Sequence, residues 1–428
     1  MCKPRFLSTI IASLALMPAG FGGSEGGRLS AAAGSPAPRQ ALPELFQKAN
    51  DELLDRGVQL SLSATQIYQQ NAHGGTSTHR RAGRFSGSYD LELSADLGKL
   101  LGIEGGSVYM LTEGVWSRTE GINGPAVGSF FGVNGDARAR RSIDVTELWY
   151  EHAFRNESLR VRLGKMDLTG GFEHRGCPVA FDCSSYANDE HTQFLNNALI
   201  NNPTIPFPDY GLGVAVYYAP TKRWYVSAAA TDAQADIRET GFSTAFHNED
   251  YFFYIIETGL TPQFHSLNGP LQGAYRVGLW YDPQDKQRFS DGRVRRDDTG
   301  FYLTFDQSLC RENNDPADSQ GLGFFGRYGW ASGSVNEVTN FWSAGVQYQG
   351  LLPDRDDDVL AVGFAQGIFS DRAAGFTDDY ETVWELYYSC QITDRLVLSP
   401  SIQYVTNPGG EGTAGDAVVI GARLQMSF

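Results

Sequence analysis

Charged and aromatic residues recur at every second position between apolar ones. Asp90 and Glu92 alternate with Tyr89, Leu91 and Leu93. Glu147, Trp149 and Glu151 alternate with Leu148 and Tyr150, and Arg160 and Arg162 with Leu159, Val161 and Leu163. Arg276 and Trp280 oppose Tyr275, Val277 and Leu279; Arg327 opposes Phe324, Tyr328 and Trp330. Glu385 and Tyr387 oppose Trp384, Leu386 and Tyr388. Asp306 and Arg423 complete the set. Carboxylates and guanidinium groups hydrogen-bond hydroxyls, and aromatic faces stack on the C–H faces of sugar rings. The set therefore suits contact with polyols. The alternative is that these charges neutralise one another.

The same residues do not make catalytic machinery. A nucleophile needs a positioned base. There are seven histidines, and His73, His79, His174, His191, His247 and His265 fall mainly in loops or turns. Only His152 sits inside a strand-like run, beside Glu151. GFSTAF and YGWASGS are not nucleophile elbows. No Cys/His spacing resembles a zinc site. LPDRDDD (352–358) and NNDPAD (313–318) lack the spacing of a calcium loop and read as turns. No enzyme, metal or cofactor is expected.

The elements that position these residues have period two. From Val58 onward there are sixteen alternating segments. They begin near Val58, Phe85, Gly106, Asp144, Leu159, Gly211, Arg223, Tyr251, Leu271, Gly300, Gln320, Asn340, Asp357, Tyr380, Arg395 and Asp416. Most run about ten residues, enough to cross a bilayer as a tilted strand. Connections at Asn156–Ser158, Pro220–Lys222, Leu352–Asp357 and Thr393-Asp394 are short. Those at 119–142, 166–210, 232–249, 282–298 and 370–379 are long and rich in Gly, Asp, Asn and Ser. Short turns at one end and long loops at the other are the layout of an outer-membrane barrel. The fold class expected is all-β, a sixteen-stranded antiparallel transmembrane β-barrel with a short N-terminal helix, spanning 58–428.

Composition agrees. The chain has 428 residues, 41% hydrophobic and 12% aromatic, with 49 glycines. Mean hydropathy is −0.30. No run of about 18 apolar residues follows the N-terminus, which argues against spanning helices and leaves barrel strands open. A formal net charge of −16 repels phosphate and excludes a nucleic-acid partner. Lys3 and Arg5 precede an apolar core from Phe6 to Met17, the pattern of a cleaved secretory signal peptide, assigned to 1–23. Residues 24–57 read as a linker ending in a short amphipathic helix at 43–57.

An even strand number puts both termini at the short-turn end. The closing VVIGARLQMSF then sends Val418, Ile420, Ala422, Leu424 and Met426 to lipid and Arg423 and Gln425 inward, with Phe428 at the inner interface. A charge at the lipid-facing midplane costs about 2–4 kcal/mol, so each strand's phase is strongly fixed. The longest loop, 166–210, could fold into the lumen and narrow it. Its constriction candidates are Phe172, Glu173, His174, Arg175, Phe181, Asp182 and Phe194. The alternative is an external loop held by a Cys177–Cys183 bridge, which secretion permits. Cys310 and Cys390 fall on separate strands and are expected to be free thiols.

ELWYEHAF, LRVRLGKMD, PFPDYGLGVAVYYAP with WYVSAAATDAQAD, GAYRVGLWYD, TDRLVLSPSIQYVTNPGG and VVIGARLQMSF occur in that order. Together they resemble the OprB-type carbohydrate-selective porins, from about residue 50 to the end. The resemblance implies a bacterial outer-membrane barrel that passes monosaccharides by diffusion. Implied partners are small sugars, bilayer and outer-membrane lipids, and the barrel-insertion machinery that reads the terminal Phe. A general diffusion pore and a non-conducting structural barrel are the alternatives. The sequence leaves monomer and homo-oligomer open.

Overall fold

The computed structural model describes residues 50–117, 121–137, 142–155, 157–174, 177–187, 194–236, 245, 251–315 and 318–428. The signal segment 1–23, the linker from 24, the start of the expected helix at 43–57 and Arg175 lie outside the described residues. Residues 50–54 are helical, as expected there.

Sixteen strands form the barrel: β1 Val58–Gly75, β2 Gly83–Asp96, β3 Gly106–Val115, β4 Ser142–Phe154, β5 Leu159–Met166, β6 Gly211–Thr221, β7 Trp224–Asp232 and β8 Phe252–Leu260. Then come β9 Gly269–Asp282, β10 Asp298–Arg311, β11 Gly321–Ala331, β12 Val338–Gln349, β13 Val359–Phe369, β14 Tyr380–Thr393, β15 Leu396–Thr406 and β16 Gly415–Ser427. Each pairs antiparallel with the next, and β16 closes on β1, with Arg423 opposite Ile67 and Ser427 opposite Ser63. The Phe428 N–H donates to the Leu62 carbonyl at 2.9 Å, so the terminal residue extends the seam. Closure leaves no free edge among the barrel strands.

The strands form because aromatic and β-branched residues fit a pleated surface. Glycine appears where a ring must lie flat on the wall. Gly278 faces Tyr302, and a Cβ there would meet the Tyr302 ring at 2.0 Å.

Exposure decides which face is which. Leu148, Leu163 and Leu279 are 51%, 50% and 57% exposed, while their neighbours Glu147, Arg162 and Trp280 are at most 2% exposed. The apolar face points outward and the charged face inward, the reverse of a water-soluble barrel. In β4 the phase changes once. A register irregularity between Leu111 and Thr112 of the partner strand leaves Thr146 unpaired. Ile143 and Val145 therefore face outward, whereas Glu147 faces inward. A bulge of this kind inserts one residue and resets alternation.

The start of β1, the end of β16 and the tight connections 155–158, 222–223 and 394–395 share one end. Connections 97–105 and 350–358 at that end are longer than the shortest turns. The first holds the helical turn Leu97–Leu101, capped by Asp96, whose carboxylate accepts from Gly98 N and Lys99 N. The second is clasped by Asp358, which accepts from Arg355 at 2.7 and 2.8 Å and from Gln391 N at 2.8 Å. The long connections 116–141, 167–210, 233–251 and 283–297 share the other end, together with a tight one at 332–337.

Candidate functional site

The lumen is not an open tube. The connections 116–141 and 167–210 fold into it and pack as a core. Ile122, Val127, Phe131 and Val133 of the first, with Phe194, Leu199 and Ile200 of the second, are buried against Phe325, Phe341, Ala365, Val383 and Val419 on β11–β14 and β16. Leu168, Val179, Phe181 and Ile205 bury against Trp149, Tyr217, Phe253, Trp280 and Tyr302 on the opposite wall. Each fully buried large apolar side chain contributes about 1.5–3 kcal/mol. That offsets the roughly 1–2 kcal/mol per residue of backbone entropy lost in ordering a loop.

Wall side chains pin the loop backbones. Glu385 on β14 accepts from Leu195 N and Asn196 N, both at 2.9 Å. Two pleat repeats away on the same face, Glu381 accepts from Ser129 Oγ at 2.6 Å, Phe130 N at 2.8 Å and Gly409 N at 2.6 Å. Gln69 and Gln403 both donate to the Val133 carbonyl, at 2.8 and 2.9 Å. Glu257 accepts from Asp182 N at 3.0 Å and from the Tyr225 and Tyr302 hydroxyls. Asp306 accepts from Ser184 Oγ at 2.5 Å, Ser185 N at 3.2 Å and Arg276 at 3.1 Å. Arg327 donates to the Leu199 carbonyl at 2.7 Å and lies 3.8 Å from Asp182, which also accepts from Thr304 Oγ1. A backbone N–H buried without a partner is costly, so each of these bonds holds the loop as well as satisfying it.

The wall of β2–β5 carries a linked polar and aromatic cluster. Tyr109 donates to Glu92 at 2.8 Å, and its ring stacks on Trp149 at 5.0 Å. Trp149 Nε1 donates to Glu147 at 3.0 Å, and the Arg162 guanidinium lies 3.8 Å over the Trp149 ring. Glu151 bridges Arg160 at 2.8 Å and Arg162 at 2.9 Å. Arg162 also donates to the Gly170 carbonyl at 3.0 Å, tying the cluster to the longest loop. On β2, Asp90 accepts from Ser63 Oγ at 3.2 Å.

All fourteen residues read as inward from alternation lie on the lumen side. Asp90, Glu147, Trp149, Glu151, Arg162, Arg276, Trp280, Asp306, Arg327, Glu385, Tyr387 and Arg423 are buried, and Glu92 and Arg160 are half-buried. Their partners differ from the sugar-facing role expected. Glu385, Asp306 and Arg327 hold loop backbone. Tyr387 packs edge-on against Phe194 at 5.0 Å, and Trp280 stacks with Phe253 at 6.4 Å. Their faces are covered by loop and wall. Among the constriction candidates, Phe181, Asp182 and Phe194 are buried inside the barrel. Phe172–His174 pairs with Cys177–Val179 in a small hairpin. The side chains of Phe172, Glu173, His174 and Cys177 lie outside the described residues.

The alternative of a Cys177–Cys183 bridge is not the one taken: Cys183 is a free, buried thiol. Cys177 pairs in the small hairpin, while Glu257 and Asp306 accept from the Asp182 and Ser185 N–H groups and hold that stretch on the wall. Cys310 and Cys390 are free thiols, as expected. Alternation missed Glu257, Glu381, Gln69 and Gln403 as loop anchors. It also missed the inward fold of 116–141. The apolar residues Ile122, Val127, Phe130, Phe131 and Val133 in that Gly- and Asn-rich loop were its signal, since a solvated loop gains nothing from them.

A closed, inside-out barrel whose lumen is narrowed by its own loops defines a membrane channel of the porin class. A sequence model of the carbohydrate-selective porin, OprB family, matches residues 80–428. The chain belongs to that family, whose barrels are channels of the bacterial outer membrane. It is 24% identical to Porin B of Pseudomonas aeruginosa over 413 residues, covering 88% of this chain and 89% of that one. The fold is similar to OprB of Pseudomonas putida in its high-pH structure, with a TM-score of 0.74 at 20% identity, covering 90% of this chain and 97% of that one. The low-pH structure of the same protein gives 0.57 at 17% identity, covering 90% and 98%.

Proposed function

We propose that this barrel passes monosaccharides such as glucose by passive diffusion across the bacterial outer membrane. The observation that carries the reading is the pair of loops packed inside the lumen. They narrow the lumen by packing against two sides of its wall. Loops of this kind set selectivity by pore size and by the polarity of the lining. Glu92 and Arg160, half-buried on β2 and β5, are the side chains that would meet solute hydroxyls, and Arg423 and Gln425 face the lumen from β16. Asp90, Glu147, Trp149, Glu151 and Arg162 shape and orient that wall. Arg276, Trp280, Asp306, Arg327, Glu385 and Tyr387 act by holding the loops.

Single-channel conductance in a planar bilayer, titrated with glucose, tests this. Saturable block by glucose is expected, and it should weaken in Arg160→Ala and Glu92→Ala. Conductance indifferent to sugar would make the protein a general diffusion pore. A folded barrel with no conductance would remove the transport reading.

A further inference from the structure

The lumen holds a second polar concavity that neither the loop anchors nor the β2–β5 wall uses. It lies at the short-turn end of β9–β12, below the packed loops, with a volume of about 170 Å³. Gln272, Ser308, Cys310, Gln347, Gln349 and Tyr186 line it. The first five are wall residues. Tyr186 comes from the longest loop. Its place is fixed from above: its N–H donates to Ser184 Oγ at 3.2 Å, and Ser184 is held by Asp306. It is accommodated from the side by Gly323, where a Cβ would meet the Tyr186 ring at 2.0 Å. The loop that narrows the lumen thus also supplies the roof of this cavity.

The lining is chosen for an uncharged, hydroxyl-rich solute. Amides and hydroxyls each donate and accept, so they exchange bonds with a polyol in any orientation. Gln349 donates to Ser319 Oγ at 2.8 Å, which holds its amide against the wall. Gln347 Oε1 is buried and accepts no hydrogen bond from the described residues. The one formal charge at the rim among the described residues, Arg311, donates to the Asp315 and Asp318 carbonyls at 2.7 and 2.5 Å. The volume is below the roughly 300–1,000 Å³ of pockets that take drug-sized ligands. It has room for one small ring.

We propose that this cavity is a second monosaccharide site, on the periplasmic side of the constriction, which receives a sugar as it leaves the narrow passage. The proposal rests on the sugar-conducting reading. Binding is weak by design, since few bonds are made and a conducted solute must leave.

Cys310 is a native reporter, an exposed thiol in the lining. Purified full-length barrel is treated with a small methanethiosulfonate reagent, and labelling at Cys310 is followed by peptide mass spectrometry. Glucose is expected to slow labelling at least threefold and saturably, whereas urea at equal osmolality does not. Gln347→Leu and Gln347→Leu/Gln349→Leu, checked for folding by heat-modifiable gel mobility, are expected to lose that protection. Absence of protection while glucose still blocks current overturns the second site and leaves the sugar pore standing. Protection that persists in the double variant also overturns the site. Absence of both protection and block removes the sugar reading itself.

Discussion

Arg162 shows how one side chain ties wall and loop together. It is 2% exposed, forks onto Glu151, covers Trp149 and reaches the Gly170 carbonyl. Arg162→Ala removes all three contacts. Breaking a buried pair from one side costs about 3–5 kcal/mol. Arg160 remains on Glu151, so the lower end is expected, read as a fall in the urea midpoint of the reconstituted barrel. Asp358 carries a second residue-scale prediction. Burial pushes its carboxyl up, but the Arg355 fork, the Tyr388 hydroxyl and the Gln391 N–H together hold it below the usual carboxylate range. A folded-state value below the unfolded one, about 3.9, stabilises the turn fully above that value. The contribution is lost as pH falls through the depressed value. Hydrogen exchange at residues 350–358 should therefore rise on acidification. In Asp358→Asn it should be raised already at neutral pH and lose that pH dependence.

The inward loops are the elements that decide function, and β14 anchors both. Glu381 binds the loop between β3 and β4, and Glu385 the loop between β5 and β6. Either substitution by alanine leaves two or more loop N–H groups unpaired in a buried place, at about 1–3 kcal/mol each. Glu381→Ala/Glu385→Ala should loosen the plug while the strands stay paired. The expected outcome is a several-fold rise in single-channel conductance with weaker glucose block. Unchanged conductance would mean that these loops do not limit flow. The elements themselves were legible in sequence: every strand begins within two residues of its expected start. The loop anchors were not. Glu381 and Ser129 are separated by 252 positions, and nothing in either local pattern marks the pair.

The whole molecule is a barrel turned inside out. Its lipid belt is the outward row of Leu, Ile, Val and aromatic residues, and its charges are paired inside. Val277 lies mid-strand on the outer face of β9, beside lumen-facing Arg276. Moving a charge to that face, in Val277→Arg, should cost about 2–4 kcal/mol. Reversible folding into lipid vesicles would measure it. A neutral result would contradict the assigned polarity.

The sequence alone determined strand number, order and which residues of each strand share a face. Period-two alternation and turn spacing are local, and the cost of a charge against lipid fixes each phase. It could not say whether the alternating face looked in or out, because a soluble barrel alternates equally. Nor could it say what the inward charges would meet. Asp306, Glu385 and Arg327 read as free lining and became loop anchors, because two loops found enough buried apolar area in the lumen to offset their ordering. That balance depends on contacts between residues far apart in the chain, and only the tertiary structure brings them together.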